Sequence, residues 1–215
     1  MPQFQIQTEK EAKTIIVGLD EAGRGPLVGP VYAGAVVLPQ DFPLGCLNDS
    51  KKLSKEKRAE AEAIIKEKAL AWATAFATHE EIDHINILQA SMLAMKRAFM
   101  KVSQQLEEKG FHADLALVDG NRCPDLPVET KAFVKGDATY PPIMAASILA
   151  KQERDRIMVL CAEKWPGYGL ERHMGYPTKA HRKAIALLGP LPIQRKSFRT
   201  VPPKSEAQGK LFSDI

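Results

Sequence analysis

The chain has 215 residues, 45% hydrophobic and 26% charged, with 30 Lys and Arg against 26 Asp and Glu for a net charge of +4. That balance suits one globular domain of generous size, or one with a small appendage, and excludes a disordered chain. No apolar run approaches the ~20 residues that span a bilayer, and the polar, mixed-charge stretch Met1–Lys13 is no secretory signal.

Lys13–Asp20 (KTIIVGLD) is apolar and β-branched and then meets a carboxylate pair and glycines, the pattern of a buried strand ending at a loop. Val31–Leu38 forms a second strand, close enough to pair with the first as a hairpin. The turn between them, Gly23–Pro30, holds three glycines and two prolines. Ser54 caps a charged helix running to about Lys68. Ala69–Thr78 reads as a third strand. Asn86–Lys109 is the clearest helix, with Leu88, Met92, Met95, Phe99, Val102 and Leu106 on one stripe.

Asp114–Val118 is a short buried strand delivering Asp119 at its end, and Val128–Val134 is another, followed by Lys135-Gly-Asp137. Pro141 and Pro142 open a helix to about Trp165, since proline suits a first helical turn. Pro166–Pro177 reads as a loop, and Thr178 caps a last helix ending near Gly189. Residues 1–189 are expected to form one catalytic body, with 190–215 a basic C-terminal segment and tail. Strands mostly precede helices after a leading hairpin, which predicts an α/β fold on a mixed sheet.

Cys46, Cys123 and Cys161 are odd in number and far apart, so a reduced, cytoplasmic protein without structural zinc is expected. Between Glu171 and Lys204 lie eight Lys or Arg and one acidic residue. A polyanion-binding surface would show such a bias, as would a solvated helix face with a charged tail.

Carboxylates stand at three strand or loop ends: Asp20-Glu21, Asp119 and Asp137. In an α/β sheet ligands gather there, and like charges packed closely require a cation. Oxygen ligands without His or Cys point to Mg²⁺ or Mn²⁺, not Zn²⁺. Alone, Asp119 in Val118-Asp-Gly120 reads as a turn former and Asp137 as a loop residue. The consecutive pair is harder to dismiss. Adjacent strand residues face opposite ways, so both members reach one cluster only if the backbone leaves strand geometry, which the glycines after Glu21 permit. Two metals about 4 Å apart would activate the attacking water and stabilise the leaving oxygen.

Gly18-Leu-Asp-Glu-Ala-Gly-Arg-Gly25, with Pro26 and Gly29-Pro30, resembles the signature of the type 2 ribonucleases H, in particular bacterial ribonuclease HII. The likeness continues in order through Asp49-Ser-Lys-Lys-Leu-Ser54, Val118-Asp-Gly120, Lys135-Gly-Asp137, Ala145–Lys151 with Arg154-Asp155, Tyr168-Gly169, His173-Met-Gly-Tyr-Pro-Thr178 and Arg195-Lys-Ser-Phe198. It implies an RNase H-like fold with a mixed sheet flanked by helices and a small C-terminal helical part. It also implies a monomeric endonuclease that cuts RNA in RNA–DNA hybrids and 5′ of single ribonucleotides in duplex DNA, leaving 3′-hydroxyl and 5′-phosphate ends.

Carried over residue by residue, the resemblance makes Asp20, Glu21, Asp119 and Asp137 the catalytic, metal-binding carboxylates, with Asp20 bridging two Mn²⁺ or Mg²⁺ ions. Asp155 competes with Asp137 and otherwise reads as a structural helix residue paired with a nearby Arg or Lys. Gly23, Arg24 and Gly25 resemble the segment whose backbone approaches the ribose 2′-hydroxyl. Tyr176 resembles the tyrosine that contacts the ribonucleotide, and Lys51 a phosphate-contacting lysine. Leu188-Gly-Pro-Leu-Pro-Ile193 is more apolar than the family pattern before its closing basic motif. In the tail, Gln208-Gly-Lys-Leu-Phe212 resembles the peptides by which bacterial repair proteins dock on the sliding clamp, through Gln208, Leu211 and Phe212.

The alternatives are another RNase H-like nuclease or a non-catalytic hybrid-binding protein. The type 3 enzymes carry an extra N-terminal domain, and the dozen or so residues before the first strand here disfavour that reading. A non-catalytic binder should have lost its acidic ligands. A P-loop NTPase is excluded, since Lys-Ser/Thr does not follow the glycines.

Overall fold

β1 (Ile16–Ala22) pairs antiparallel with β2 (Val31–Val37), which pairs antiparallel with β3 (Ala71–Ala77). On its other side β1 runs parallel to β4 (Leu115–Asp119), and β4 parallel to β5 (Glu129–Phe133). The sheet is mixed and ordered β3-β2-β1-β4-β5. The structure, a computed structural model, describes residues 14–48 and 53–198. Lys51 and the tail residues Gln208, Leu211 and Phe212 lie outside them.

Helices cover both faces. α2 (His79–Glu108) lays Met95, Phe99, Val102 and Leu106 against Val17, Leu19, Ala33, Ala35, Ala116 and Val118, all buried. Emptying one such site, as in Phe99→Ala, costs about 3–5 kcal/mol. α3 (Pro141–Lys164) covers the opposite face together with α1 (Lys55–Lys68), through Val36, Ile65, Ile148 and Leu149. α3 lies unusually close because its strand neighbours are glycines. A Cβ on Gly18 would fall 2.1 Å from the Pro142 carbonyl carbon, and one on Gly34 2.3 Å from the Ala146 oxygen.

The expected helix starts at Ser54, Pro141 and Thr178 hold: Ser54 and Thr178 side chains accept N–H bonds from Lys57 and His181. The helix predicted from Asn86 does restart at that residue, but further helical turns lie ahead of it and begin at His79. Thr78 and Glu81 close a capping box there. Asn86 (φ 67°) interrupts the helix and restarts it, its side chain accepting from Leu88 and Gln89 N–H. The predicted loop 166–177 contains a helical turn, α4 (Leu170–His173), ahead of α5 (Lys179–Leu188). A small satellite core of Leu27, Val28, Met158, Leu170, Ile185 and Leu191 joins these pieces to the glycine-rich loop.

Leu191 in the proline-rich segment is therefore buried, while Leu187 and Leu188 stay exposed. Of the basic residues after Glu171, Arg172, Lys179, Lys183 and Lys196 are exposed. Arg195 is not: it is fully buried, because its guanidinium is spent on backbone carbonyls inside the molecule. No helix among the described residues is long and apolar enough to cross a membrane, and Cys46, Cys123 and Cys161 are free thiols.

Candidate active site

The parallel register of β1 and β4 runs up to Leu19 opposite Val118. The next residue of each strand is Asp20 and Asp119, which therefore end level on the face covered by α3. β5 ends one strand further out, opposite Asp119 at Phe133. The chain then turns through left-handed Lys135 (φ 61°) into the short turn Gly136–Ala138, and the turn brings Asp137 back. One carboxylate oxygen from each of Asp20, Asp119 and Asp137 lies within 4.8 Å of the other two. Asp119 Oδ1 also accepts the Asp137 N–H at 3.2 Å.

Glu21 is placed differently from expectation. β1 keeps a regular ladder through the pair, with Asp20 opposite Gly34, Glu21 opposite Ala33 and Ala22 opposite Tyr32. Strand alternation therefore sends Glu21 off the Asp20 face, and it stands outside the group of three. It still lines the same cavity, where Arg24 Nη1 donates to its Oε1 at 3.3 Å. Asp155 is likewise outside the group, and Lys151 Nζ donates to it at 2.6 Å.

The cavity is walled by Asp20, Glu21, Gly23, Arg24, Gly25, Asp119, Ser147, Lys151 and Tyr176. Tyr176 packs its ring against Gly25, where a Cβ would sit only 3.3 Å from Cε1. Ser147 and Lys151, one turn apart on α3, had not been singled out. Their signal is the i, i+4 spacing within Ala145–Lys151, which puts both on one helix face.

Electrostatics separate this site from an ordinary strand end. Burial, reinforced by the charges of Glu21 and Asp119, pushes the Asp20 carboxyl well above its usual range. The Ser147 hydroxyl and the Glu21 N–H oppose that shift, the latter donating at 2.6 Å. Burial also raises Glu21, against the lowering effect of the Arg24 charge and hydrogen bond. Carboxylates that resist ionisation for want of compensating charge fit a cation, and an all-oxygen donor set fits a hard divalent one.

The Ribonuclease HII family profile matches residues 17–201. The chain belongs to the ribonuclease HII family. It is 53% identical over 187 residues to ribonuclease HII of Dechloromonas aromatica, covering 87% of this chain and 92% of that one. With ribonuclease HII of Vibrio parahaemolyticus it shares 51% identity over 201 residues, 94% and 90% of the two chains. Among solved structures it resembles the ribonuclease HII of Archaeoglobus fulgidus, determined in complex with PCNA, at 26% identity and a TM-score of 0.67. That match covers 90% of this chain and 99% of that one. The chain is thus a ribonuclease H, an endonucleolytic hydrolase of RNA–DNA hybrids with an RNase H-like fold, and its family works with divalent metal.

Proposed function

We propose that the protein incises the strand 5′ of ribonucleotides, including single ones embedded in duplex DNA, leaving 3′-hydroxyl and 5′-phosphate ends. The carrying observation is the convergence of Asp20, Asp119 and Asp137 on one point at a cavity that Gly23, Arg24 and Gly25 also line. Asp20, Asp119 and Asp137 hold metal, with Glu21 completing the set from the cavity side. Two bound Mg²⁺ or Mn²⁺ ions would supply an activated water and a stabilised leaving oxygen.

The chain's own residues do the rest. Gly23, Arg24 and Gly25 offer backbone to the ribose 2′-hydroxyl, the group that tells RNA from DNA. Tyr176, packed on Gly25, contacts the ribonucleotide and fixes how deep the sugar sits. Lys51 contacts phosphate, and exposed Lys179, Lys183 and Lys196 add sequence-independent attraction for the duplex. Incubation with Mg²⁺ or Mn²⁺ and a duplex carrying one ribonucleotide should yield a single cut on its 5′ side. An intact duplex in both metals would sink the reading.

The archaeal relative's complex with PCNA and the tail residues Gln208, Leu211 and Phe212 together support a docking site for a sliding clamp. Full-length chain should bind the clamp, and chain truncated after Pro203 should not. Equal binding by both removes the proposal.

A further inference from the structure

Arg195 is fully buried, and its guanidinium donates to five backbone carbonyls of one loop. Nη2 reaches Gly23 O at 2.7 Å and Pro30 O at 3.2 Å. Nη1 reaches Arg24 O and Pro26 O, each at 2.9 Å, and Nε reaches Gly29 O at 2.9 Å. The Arg195 backbone N–H takes Leu27 O, and the Phe198 ring stacks 5.1 Å from the guanidinium carbon. A second buried arginine, Arg154, donates to Val28 O and Met174 O and packs beneath Gly23, where a Cβ would strike its Nε at 2.1 Å. Burial lowers the Arg195 pKa to about 9, which leaves it charged at neutral pH.

A guanidinium has five N–H donors and no acceptor, so it orients every carbonyl it touches toward itself. All peptide bonds here are trans, and in a trans peptide the N–H points opposite to the C=O. With Gly23 O and Arg24 O turned inward onto Arg195, the N–H groups of Arg24 and Gly25 turn outward, and both residues line the cavity. The wall facing a substrate sugar is therefore made of donors, with its acceptors withdrawn into the interior.

We infer that Arg195 is a positioning residue for ribonucleotide selectivity, holding the Arg24 and Gly25 N–H groups as a donor pair for the 2′-oxygen of ribose. This rests on the ribonucleotide reading above and assigns the device that sets it. A deoxyribose offers nothing at that position. Removal of the inward pull frees the Gly23 and Arg24 peptides to rotate, mixing acceptors into the donor wall and weakening the distinction between the sugars.

The test compares, in EDTA so that nothing is cut, the affinities for an all-DNA duplex and the same duplex with one ribonucleotide. The full-length chain should prefer the ribonucleotide. Arg195→Lys and Arg195→Ala should each lose about tenfold of that preference, the worth of one or two hydrogen bonds, with all-DNA affinity retained. Millimolar guanidinium should restore the preference in R195A and not in R195K. Folded variants that keep the preference overturn the inference, as does equal loss of both affinities, which marks a merely structural role. Amide exchange in the wild-type chain decides the point if neither variant folds. Arg24 and Gly25 N–H should slow only with the ribonucleotide duplex, and unchanged exchange overturns the inference. A wild-type chain that does not incise the ribonucleotide duplex strikes the functional reading instead.

Discussion

Asp119 Oδ1 accepts the Asp137 N–H at 3.2 Å, so one carboxylate of the cluster holds the turn that carries another. Charge and position can therefore be separated by substitution. Asp119→Asn keeps an acceptor oxygen and loses the charge, whereas Asp119→Ala loses both. Each should abolish metal-dependent cleavage, by more than the roughly 10–100-fold that losing a mere outer partner of a metal ligand costs, while hybrid binding largely survives. Only D119A should accelerate amide exchange at Asp137. Equal exchange in the two variants would show that the turn holds itself.

A second consequence concerns stability. Burial and its acidic neighbours raise the folded-state pKa of Asp20 above the ordinary 3.8. A carboxyl shifted that way binds its proton more tightly folded than unfolded, so its contribution is most favourable below about pH 4 and is lost as pH rises through the folded pKa. At neutral pH without metal, the Asp20 carboxyl is thus a cost. Asp20→Asn should eliminate cleavage yet raise the metal-free Tm by about 2–4 °C for each kcal/mol relieved. Saturating Mg²⁺ should raise the wild-type Tm and leave D20N nearly unmoved. A drop in the metal-free Tm of D20N would contradict the electrostatic account.

Local chemistry was readable wherever neighbours in the chain decide it. An apolar β-branched run with Asp20-Glu21 at its end, Ser54 and Thr178 as caps, and Pro141 at a helix start all express interactions spanning a few residues. The Thr78-x-x-Glu81 capping box was equally local, and the longer α2 follows from it. The helix start read at Asn86 is local in the same way, its side-chain oxygen accepting from Leu88 and Gln89 N–H, although the turns ahead of it were missed. Arg195 was the least readable. As one basic residue in a basic stretch it looked like surface, yet its carbonyl partners lie 165 to 172 residues earlier, brought there by topology. For Glu21 the need for a backbone departure was inferred from adjacency alone, whereas the β2 pairing keeps the strand regular past it.

The exposed edge of the sheet provides a third prediction. α2 covers the outer side of β3 with side chains four residues apart, matching alternate strand residues. Arg97 donates to Phe76 O, Lys101 to Thr74 O and Lys109 to Leu70 O. Gln105 takes the Trp72 N–H at 3.1 Å and donates to Trp72 O at 2.9 Å, as a paired strand would. Gln105→Met keeps the bulk and removes both bonds. It should cost about 1–3 kcal/mol in denaturant unfolding and promote self-association at the bared edge, without changing cleavage by folded monomer. A monomeric Q105M of wild-type stability would show that the amide is incidental.

Tyr176 is held by a stacked histidine pair whose tautomers the backbone dictates. Gly175 N–H donates to His173 Nδ1, so the His173 proton sits on Nε2 and goes to Tyr168 O at 2.9 Å. His181 must donate from Nδ1 to reach Tyr176 O at 3.0 Å. The two rings lie 4.4 Å apart, and His181 Nε2 is buried without a partner. Protonation of His181 would therefore bury an N–H with no acceptor beside another imidazole. Burial accordingly lowers its pKa below the ordinary 6.5, with His173 and Arg182 adding to the effect. A histidine depressed in this way is fully stabilising above its unfolded pKa, and that stability is lost as pH falls from there toward the folded pKa. Lowering pH from about 7.5 to about 5.5 should reduce wild-type stability and weaken binding of a ribonucleotide-containing duplex. His181→Asn retains a donor for Tyr176 O and cannot titrate. Its stability should change less over the same window, measured by urea unfolding at each pH. Parallel pH profiles for wild type and H181N would assign the acid sensitivity to another group.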